Sequence, residues 1–393
     1  MAGSYIVAGA RTPIGKMSGA LASFSAADLG GFAIAEALTR AGVSPDEVEH
    51  VIMGQVLMAG QGQVPSRQAA VKAGIPMSVP SVNVNKVCLS GLNAIYLADQ
   101  MIQAGEADIV VAGGMESMTN APYLAAGARG GFRYGNTELA DAIIKDGLWC
   151  AFDACLMGLG TERYTAGGIS REQQDDLAMK SNERAANAIK DGRLADEIVP
   201  VSIPQRKGEP ILVETDEGVR PGTTMESLAT LKPAFDKEGT ITAANASQIS
   251  DGGSAVVVMS EKAVNARGVT PLGQVVSYGM VAGPDNASLL QQPSRAIMKA
   301  LDRAGKTIGD VDLFEINEAF AAVGIASMAD LGISDDIVNV NGGAIALGHP
   351  IGMSGNRLAL TLLHELRRRG GGVGAAALCG GGGQGDALIV RTV

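Results

Sequence analysis

The stretch Asn341 to Arg357 reads NGGAIALGHPIGMSGNR and places His349, one of only three histidines, between glycine-rich turns. Residues 338–341 (VNVN) precede it, and Ser354-Gly355 opens a segment with leucines at helical spacing that runs to about Arg369. The spacing predicts a strand, a glycine-containing turn that carries the histidine, an amphipathic helix, and then a buried strand that ends in glycines.

An earlier part of the chain repeats this plan. Residues 82–85 also read VNVN, Cys88 follows them in the turn, and Ser90-Gly91 opens a helical segment to about Ala104. Residues 107–114 then form an apolar run that ends in glycines. This internal repeat predicts two homologous halves of the α/β class. Because strands alternate with helices, we expect crossover units and a largely parallel sheet.

The remaining segments fit between or beside these halves. Residues 5–8 (YIVA) read as a strand, and residues 255–259 (AVVVM) form a short buried run typical of parallel sheets. Between residues 119 and 249 the composition shifts to loops, Pro-Gly turns and polar helices such as 171–190. We interpret this region as an insertion that carries substrate contacts. The predicted parts are an N-terminal half (1–118 plus 250–268), an inserted loop domain (119–249) and a C-terminal half (269–393).

The composition is that of a globular protein. With 46% hydrophobic and 18% charged residues, the 393-residue chain can bury substantial cores in about two to three domains. A net charge of −10 argues against a sequence-independent nucleic-acid binder, because no Lys/Arg stripe is present to neutralise phosphates. The short run Arg367-Arg368-Arg369 is interpreted as a solvated helix C-terminus.

The four cysteines, together with a start that shows neither a basic n-region nor a long apolar core, favour a reducing compartment, so we expect a cytoplasmic protein. No apolar run reaches the roughly 18 residues of a transmembrane helix. No metal site is predicted, since Cys150 and Cys155 have no further cysteine or histidine nearby. The glycines of 380–385 lack the Lys-Ser/Thr of a phosphate-binding loop.

Three side chains carry the predicted chemistry. Cys88 is expected at a helix N-terminus, where the helix dipole stabilises a thiolate; the alternative is a small buried hydrophobe. His349 precedes Pro350, so its backbone is biased towards an extended turn. It is either a structural histidine or the base that takes the proton of Cys88. Cys379 ends an apolar run before four glycines and could be a second base. Two thiols and one imidazole suggest acyl transfer.

Asn317 follows the strand-like residues 313–316, at a predicted junction between a strand and a helix. It is either the N-cap of that helix or a residue that orients a catalytic water.

Taken together, these motifs resemble the thiolase family over essentially the whole chain, and most closely its acetyl-CoA acetyltransferase branch. The matching segments are 7–15 (VAGARTPIG), 85–91 with Cys88, 113–118 (GGMESM), 245–247 (NAS), 317–320, 342–355 with His349, and 379–385. The resemblance implies two similar βαβαβαββ-type halves in a layered α/β/α/β/α core with an inserted loop domain. It also implies assembly into dimers or tetramers, and we expect a homotetramer.

The resemblance implies a role for each site residue. Cys88 would be the nucleophile acylated by acetyl-CoA, activated by His349, and Cys379 would abstract the α-proton of a second acetyl-CoA. Asn317 would hold a water that forms one oxyanion hole with His349. Backbone N–H groups of Cys88 and Gly381 would form the other. The expected product is acetoacetyl-CoA plus CoA, or the reverse thiolysis.

Coenzyme A thioesters would be substrates, and no separate cofactor is expected. The resemblance places coenzyme A against a set of polar and apolar side chains: Arg220, Ser227, Ser247, Met157, Phe235, Phe320 and Leu148. A chain of net charge −10 needs local positive potential to bind a polyanion, and Arg220 is a candidate source.

Two positions depart from the acetyl-CoA acetyltransferase pattern, and both are expected to touch the substrate channel. Leu156 stands where many members have a histidine, and Gly380 where a larger apolar residue is common. An apolar residue at 156 leaves open a degradative 3-ketoacyl-CoA thiolase that accepts longer acyl chains. The third possibility is a noncatalytic protein that binds coenzyme A.

Overall fold

The computed structural model describes residues 3–393. Its N-terminal half alternates strands with helices before the insertion. The elements are β1 (Ser4–Arg11), β2 (Gly15–Lys16), α1 (Ala26–Ala41), β3 (His50–Gly54), α2 (Pro65–Lys72), β4 (Ser81–Val84), α3 (Ser90–Gln103) and β5 (Ile109–Ser117).

The chain between β5 and the next long strand contains short hairpins and polar helices. These are β6 (Tyr123–Leu124), β7 (Ala140–Asp141), β8 (Trp149–Cys150), β9 (Cys155–Leu156), α4 (Met157–Thr165), α5 (Arg171–Lys190), β10 (Val201–Ile203), β11 (Ile211–Val213) and α6 (Met225–Ala229). Helix α5 has the bounds expected from the sequence, and it begins at a capping box in which Ser170 and Gln173 satisfy each other's backbone N–H groups.

The chain then returns to the N-terminal half and continues into the C-terminal half. The elements are β12 (Ser250–Ser260), α7 (Glu261–Arg267), β13 (Gly273–Ala282), α8 (Gln292–Ala304), β14 (Leu313–Ile316), α9 (Ala321–Leu331), α10 (Ala344–Leu347), α11 (Ser354–Arg368), β15 (Val373–Gly380) and β16 (Gln384–Arg391). None of the helices within residues 3–393 is both long and apolar enough to cross a membrane.

The strands of both halves join into one ten-stranded sheet with the order β14-β15-β16-β13-β1-β12-β5-β3-β4, and β2 pairs with β12. Only β14 with β15, and β3 with β4 and β5, pair in parallel. The expectation of a largely parallel sheet is therefore wrong. β12 lies antiparallel to both β1 and β5, and it reads as a continuous apolar run because helices cover both of its faces.

The N-terminal and the C-terminal strands of this sheet lie on opposite sides of two central helices, which gives the five layers of the fold prediction. Helices α1 and α2 cover the outer face of the N-terminal strands, and α8 covers the C-terminal strands, with α9 packed against it. Between the two halves lie α3 and α11, packed on each other and on strands of both halves. Three apolar clusters fill the interfaces between these layers: one lies under the outer helices of each half, and the largest lies on both sides of α3 and α11.

The Ser-Gly pairs of the internal repeat explain how the central helices meet. A Cβ at Gly91 would lie 2.8 Å from the Gly352 carbonyl oxygen, and one at Gly355 would lie 2.5 Å from the Leu92 nitrogen. At such distances only glycine lets the backbones approach. The first turns of α3 and α11 are therefore in backbone contact, which brings the turns before them together.

One predicted strand does not form. Residues 338–341 contribute only a single bridge, between Val338 and Phe314 of β14. Asn339 adopts a left-handed conformation with φ 47°, which ends the pairing. Its side-chain amide makes the hydrogen bonds that a neighbouring strand would have made. Oδ1 accepts from the Ile316 N–H and Nδ2 donates to the Ile316 carbonyl, both at 2.8 Å.

Candidate active site

Cys88 lies in the turn between β4 and α3, where the sequence predicted it. Cys88 is 6% exposed, and the backbone N–H groups of Cys88 and Gly381 lie near enough to its sulfur to act against a raised pKa. Burial nevertheless raises the pKa of Cys88 to about 12. The expectation of a resting thiolate is therefore wrong, because desolvation outweighs the helix terminus and both N–H donors.

His349 lies in the loop between α10 and α11, and its hydrogen bonds fix its tautomer. Nδ1 is 2.5 Å from Oγ of Ser354, whose hydroxyl donates to the Pro350 carbonyl at 2.9 Å. Because that hydroxyl proton is committed, Nδ1 must carry the ring proton, which leaves Nε2 unprotonated. Burial, and secondarily the charge of Arg357, lowers the pKa of His349 to about 3. The resting imidazole is neutral and can accept a proton at Nε2.

Asn317 follows directly after β14 and faces that imidazole. Its Nδ2 lies 3.4 Å from Nε2 of His349, and its Oδ1 is buried without a hydrogen-bond partner among residues 3–393. The N-cap alternative is wrong, because Phe320 occupies that position of α9. Sequence reasoning kept two roles open for Asn317, and the structure removes one of them.

Cys379 lies near the end of β15 and is 1% exposed. Burial, followed by the proximity of Cys88, raises its pKa. Gly380, next in the chain, was expected to touch the substrate channel, and the space that a side chain at this position would need is filled by Leu89. A Cβ at Gly380 would lie 2.5 Å from Cγ of Leu89, so the glycine allows the turn that carries Cys88 to pack on β15.

A cavity of about 620 Å³ has His349 in its wall, whereas Cys88, Asn317 and Cys379 are not among its lining residues. Of the predicted coenzyme A contacts, six line it: Arg220, Ser247, Met157, Phe235, Phe320 and Leu148. Leu156 lines it too, as expected, and Lys16 adds a second cation that the sequence did not suggest. Ser227 is not among the lining residues; it is exposed in α6, and its hydroxyl donates to the Thr224 carbonyl.

Glu116 was quoted in a motif but given no role by sequence reasoning. It is fully buried in β5 and accepts hydrogen bonds from the backbone N–H groups of Val56, Leu57 and Gly352. Burial raises its pKa to about 7 despite these donors. The carboxylate joins the loop that carries His349 to residues 55–57. The signal that could have identified Glu116 from the sequence is a charged residue within an otherwise apolar, buried strand.

Two family models match the chain, "Thiolase, N-terminal domain" over residues 4–262 and "Thiolase, C-terminal domain" over residues 269–392. The chain belongs to the thiolase family. The break between the two models falls next to the start of β13, where the structure passes from one half to the other.

Curated relatives of this thiolase are similar over their whole length. A "Probable acetyl-CoA acetyltransferase" of Mycolicibacterium smegmatis is 57% identical over 98% of this chain and 100% of the relative. Another protein of that name, from Mycobacterium tuberculosis, is 56% identical over 100% of both chains. An "Acetyl-CoA acetyltransferase" of Cupriavidus necator is 52% identical over 98% of each.

Proposed function

We propose that this thiolase is an acetyl-CoA C-acetyltransferase, which condenses two acetyl-CoA to acetoacetyl-CoA and CoA through an acetyl-cysteine intermediate. The main support is the proximity of Cys88 to Cys379 and to the Gly381 backbone, because it joins the nucleophile of one half to the glycine turn of the other. The names of the relatives support the same reaction.

In the first half-reaction, Nε2 of His349 takes the thiol proton of Cys88 as the sulfur attacks the thioester carbonyl. The N–H groups of Cys88 and Gly381, which lie near the sulfur, would hold the oxyanion. The leaving CoA thiolate takes the proton of Cys379. The half-reaction ends with acetylated Cys88, an imidazolium at His349, and Cys379 as a thiolate.

In the second half-reaction, the Cys379 thiolate removes the α-proton of a second acetyl-CoA. Burial raises the pKa of this thiol, which makes its thiolate a stronger base towards a weakly acidic C–H. The enolate oxygen would accept from the imidazolium Nε2–H and from a water held by Asn317. The enolate carbon attacks acetyl-Cys88, and Cys88 leaves with the proton of His349, which restores the resting state.

The cavity supports coenzyme A as the carrier. Its apolar walls, which include Met157, Phe235 and Phe320, suit the pantetheine chain, and its cations Lys16 and Arg220 suit phosphates. No separate cofactor enters this scheme.

The test is to map the acetylated residue by mass spectrometry after incubation with acetyl-CoA. Cys88→Ala is expected to take up no acetyl group. Cys379→Ala is expected to become acetylated at Cys88 but not to condense. Cys150→Ala, a buried cysteine of the β8 hairpin, serves as the matched control and should do both. Acetylation of Cys88→Ala at the wild-type level would contradict the proposal, and absence of turnover in the wild type would favour a noncatalytic protein that binds coenzyme A.

A second candidate, a degradative 3-ketoacyl-CoA thiolase, is favoured by Leu156. This residue adds to an apolar wall that also contains Leu148, Ile144 and Met118. Thiolysis of acetoacetyl-CoA should be compared with that of longer 3-ketoacyl-CoAs, in the wild type and in Leu156→His. A strong wild-type preference for the longer chains would decide for this candidate.

The proposal includes a cytoplasmic homotetramer. All four cysteines are free, which suits a reducing compartment. β4 is an edge strand with an exposed Val82, and the segment 123–139 exposes Tyr123, Phe132 and Tyr134. Such unpaired edges and apolar side chains suit contacts between copies of the chain. Light scattering after gel filtration would measure the mass, and a monomer at micromolar concentration would contradict this part.

A further inference from the structure

An ion pair connects the nucleophile's turn to the opposite half of the molecule. Nζ of Lys86 lies 2.8 and 2.9 Å from the two carboxylate oxygens of Asp386, a residue 300 positions further along the chain. The lysine side chain is 22% exposed and the aspartate side chain is fully buried. A pair with one wholly buried partner is held far more firmly than a surface pair, because the carboxylate has no access to water.

Each partner stands next to a reacting group. Lys86 is two residues before Cys88, and Asp386 in β16 pairs with Leu378, the neighbour of Cys379 in β15. Because β15 and β16 are antiparallel neighbours, Asp386 moves with the hairpin that carries both Cys379 and Gly381. The ion pair therefore links the turn that carries Cys88 to the hairpin that carries Cys379, the two segments whose side chains must act together in acyl transfer.

Further contacts fix the aspartate. The hydroxyl of Tyr278 in β13 donates to Asp386 Oδ2 at 2.5 Å. The Tyr278 ring stacks on Tyr96 of α3, with centroids 4.4 Å apart and planes inclined by 19°. Asp386 is thus held by β13 and, through the stacked rings, by the helix that follows Cys88. Its carboxylate has a fixed position from which to hold Lys86.

The turn needs such support. Val87, between Lys86 and Cys88, has φ 51°, a conformation that β-branched residues rarely adopt and that persists only when the surroundings enforce it. The Val87 side chain packs over the Gly381 backbone, since a Cβ on that glycine would lie 3.4 Å from both Val87 methyl groups. If the ion pair were lost, Val87 could relax and carry Cys88 away from the Gly381 N–H.

We propose that Lys86 and Asp386 are positioning residues that hold Cys88 in register with Gly381 and Cys379. This inference rests on the proposed acyl-transfer function. Neither residue lines the cavity, so their removal should lower kcat and leave KM for acetyl-CoA unchanged.

The test is a triple variant, Lys86→Met with Asp386→Leu and Tyr278→Phe, which removes the charges and the phenol together. Of the buried groups around them, the Asn93 amide loses a long hydrogen bond, 3.5 Å from the Tyr278 hydroxyl. Replacing a buried ion pair with apolar residues is often neutral or stabilising, so Tm is expected to hold. Displacement of Cys88 should lower kcat by about tenfold to about a hundredfold. Lys262→Met, which breaks a surface ion pair with Asp108, is the matched control and should keep wild-type kcat.

Single variants separate positioning from general stability. Lys86→Arg can still contact both carboxylate oxygens and should recover most of the kcat that Lys86→Met loses, at equal KM. Equal kcat in Lys86→Arg and Lys86→Met would overturn the proposal. The proposal would also be overturned by a triple variant whose kcat is unchanged, or whose kcat falls no more than its lowered Tm explains. A wild type that is never acetylated on Cys88 would instead refute the proposed function itself, and this inference with it.

Discussion

The hydroxyl of Ser354 is expected to be needed for acetylation of Cys88, although it touches neither substrate nor sulfur. Ser354→Ala leaves the Nδ1–H of His349 buried without its acceptor. An orphaned buried donor costs about 1–3 kcal/mol. The ring can escape that penalty only by moving its proton to Nε2, which then cannot accept the proton of Cys88. With the proton on either nitrogen, we expect the free-energy barrier to acyl transfer to rise by about 1–3 kcal/mol. Such a rise lowers the rate about 5-fold to about 150-fold.

The assay is a single-turnover reaction with acetyl-CoA, quenched at intervals and read by intact-protein mass. Ser327→Ala is the matched control, because Ser327 is also fully buried in a helix and donates to a backbone carbonyl, that of Leu290. The control should acetylate at the wild-type rate. If Ser354→Ala, folded as the wild type, reacts within about twofold of the wild-type rate, the tautomer assigned to His349 is wrong.

Three further outcomes are expected. Arg220→Ala should raise KM for acetyl-CoA with little change in kcat, whereas the exposed Arg206→Ala should leave both unchanged. Gly355→Ala should destabilise the fold by about 1–3 kcal/mol in urea unfolding, because its Cβ meets backbone, whereas Gly309→Ala, with open space, should not. Between pH 7.5 and 5.5 the wild type should lose about 1.4 kcal/mol more of its free energy of unfolding than His349→Asn loses.

The sign of the last effect follows from the lowered pKa of His349, about 3 against the ordinary histidine value of 6.5. Below pH 6.5 the unfolded chain binds a proton that the folded chain does not, so the wild type loses stability as the pH falls. A variant without the imidazole lacks that loss. Parallel pH curves for wild type and variant would show that the buried ring titrates normally. For the other two, an unchanged KM in Arg220→Ala or an unchanged urea midpoint in Gly355→Ala would count against the respective reasoning.

Much of the fold was accessible from the sequence because the repeat of VNVN and Ser-Gly is a local pattern with a spatial cause, the contact of Gly91 with the start of α11. Strand direction was not accessible. The apolar run 255–259 reads alike in a parallel or antiparallel sheet, because burial on both faces, not pairing, dictates its composition. The strand predicted at residues 338–341 does not form, because the Asn339 side chain makes the hydrogen bonds to Ile316 that its backbone would have made.

For the site, residue type and turn context were sufficient to bring Cys88, His349, Cys379 and Asn317 into consideration. The protonation state of Cys88 could not be predicted in the same way. A helix N-terminus suggested a thiolate at Cys88, but the degree of burial, which reverses that expectation, is a property of the assembled layers. Contacts across the two halves, such as the one between Lys86 and Asp386, also have no local signature.

The backbone contact between Gly91 and the start of α11 has a consequence for how the chain can be divided. In the proposed reaction, one half supplies the sulfur that holds the acyl group, and the other supplies the imidazole, the amide and the second thiol. Neither half alone contains a complete set of reacting groups. Two separately expressed fragments would therefore each be inert, and any activity recovered on mixing them would report directly that their central helices had docked.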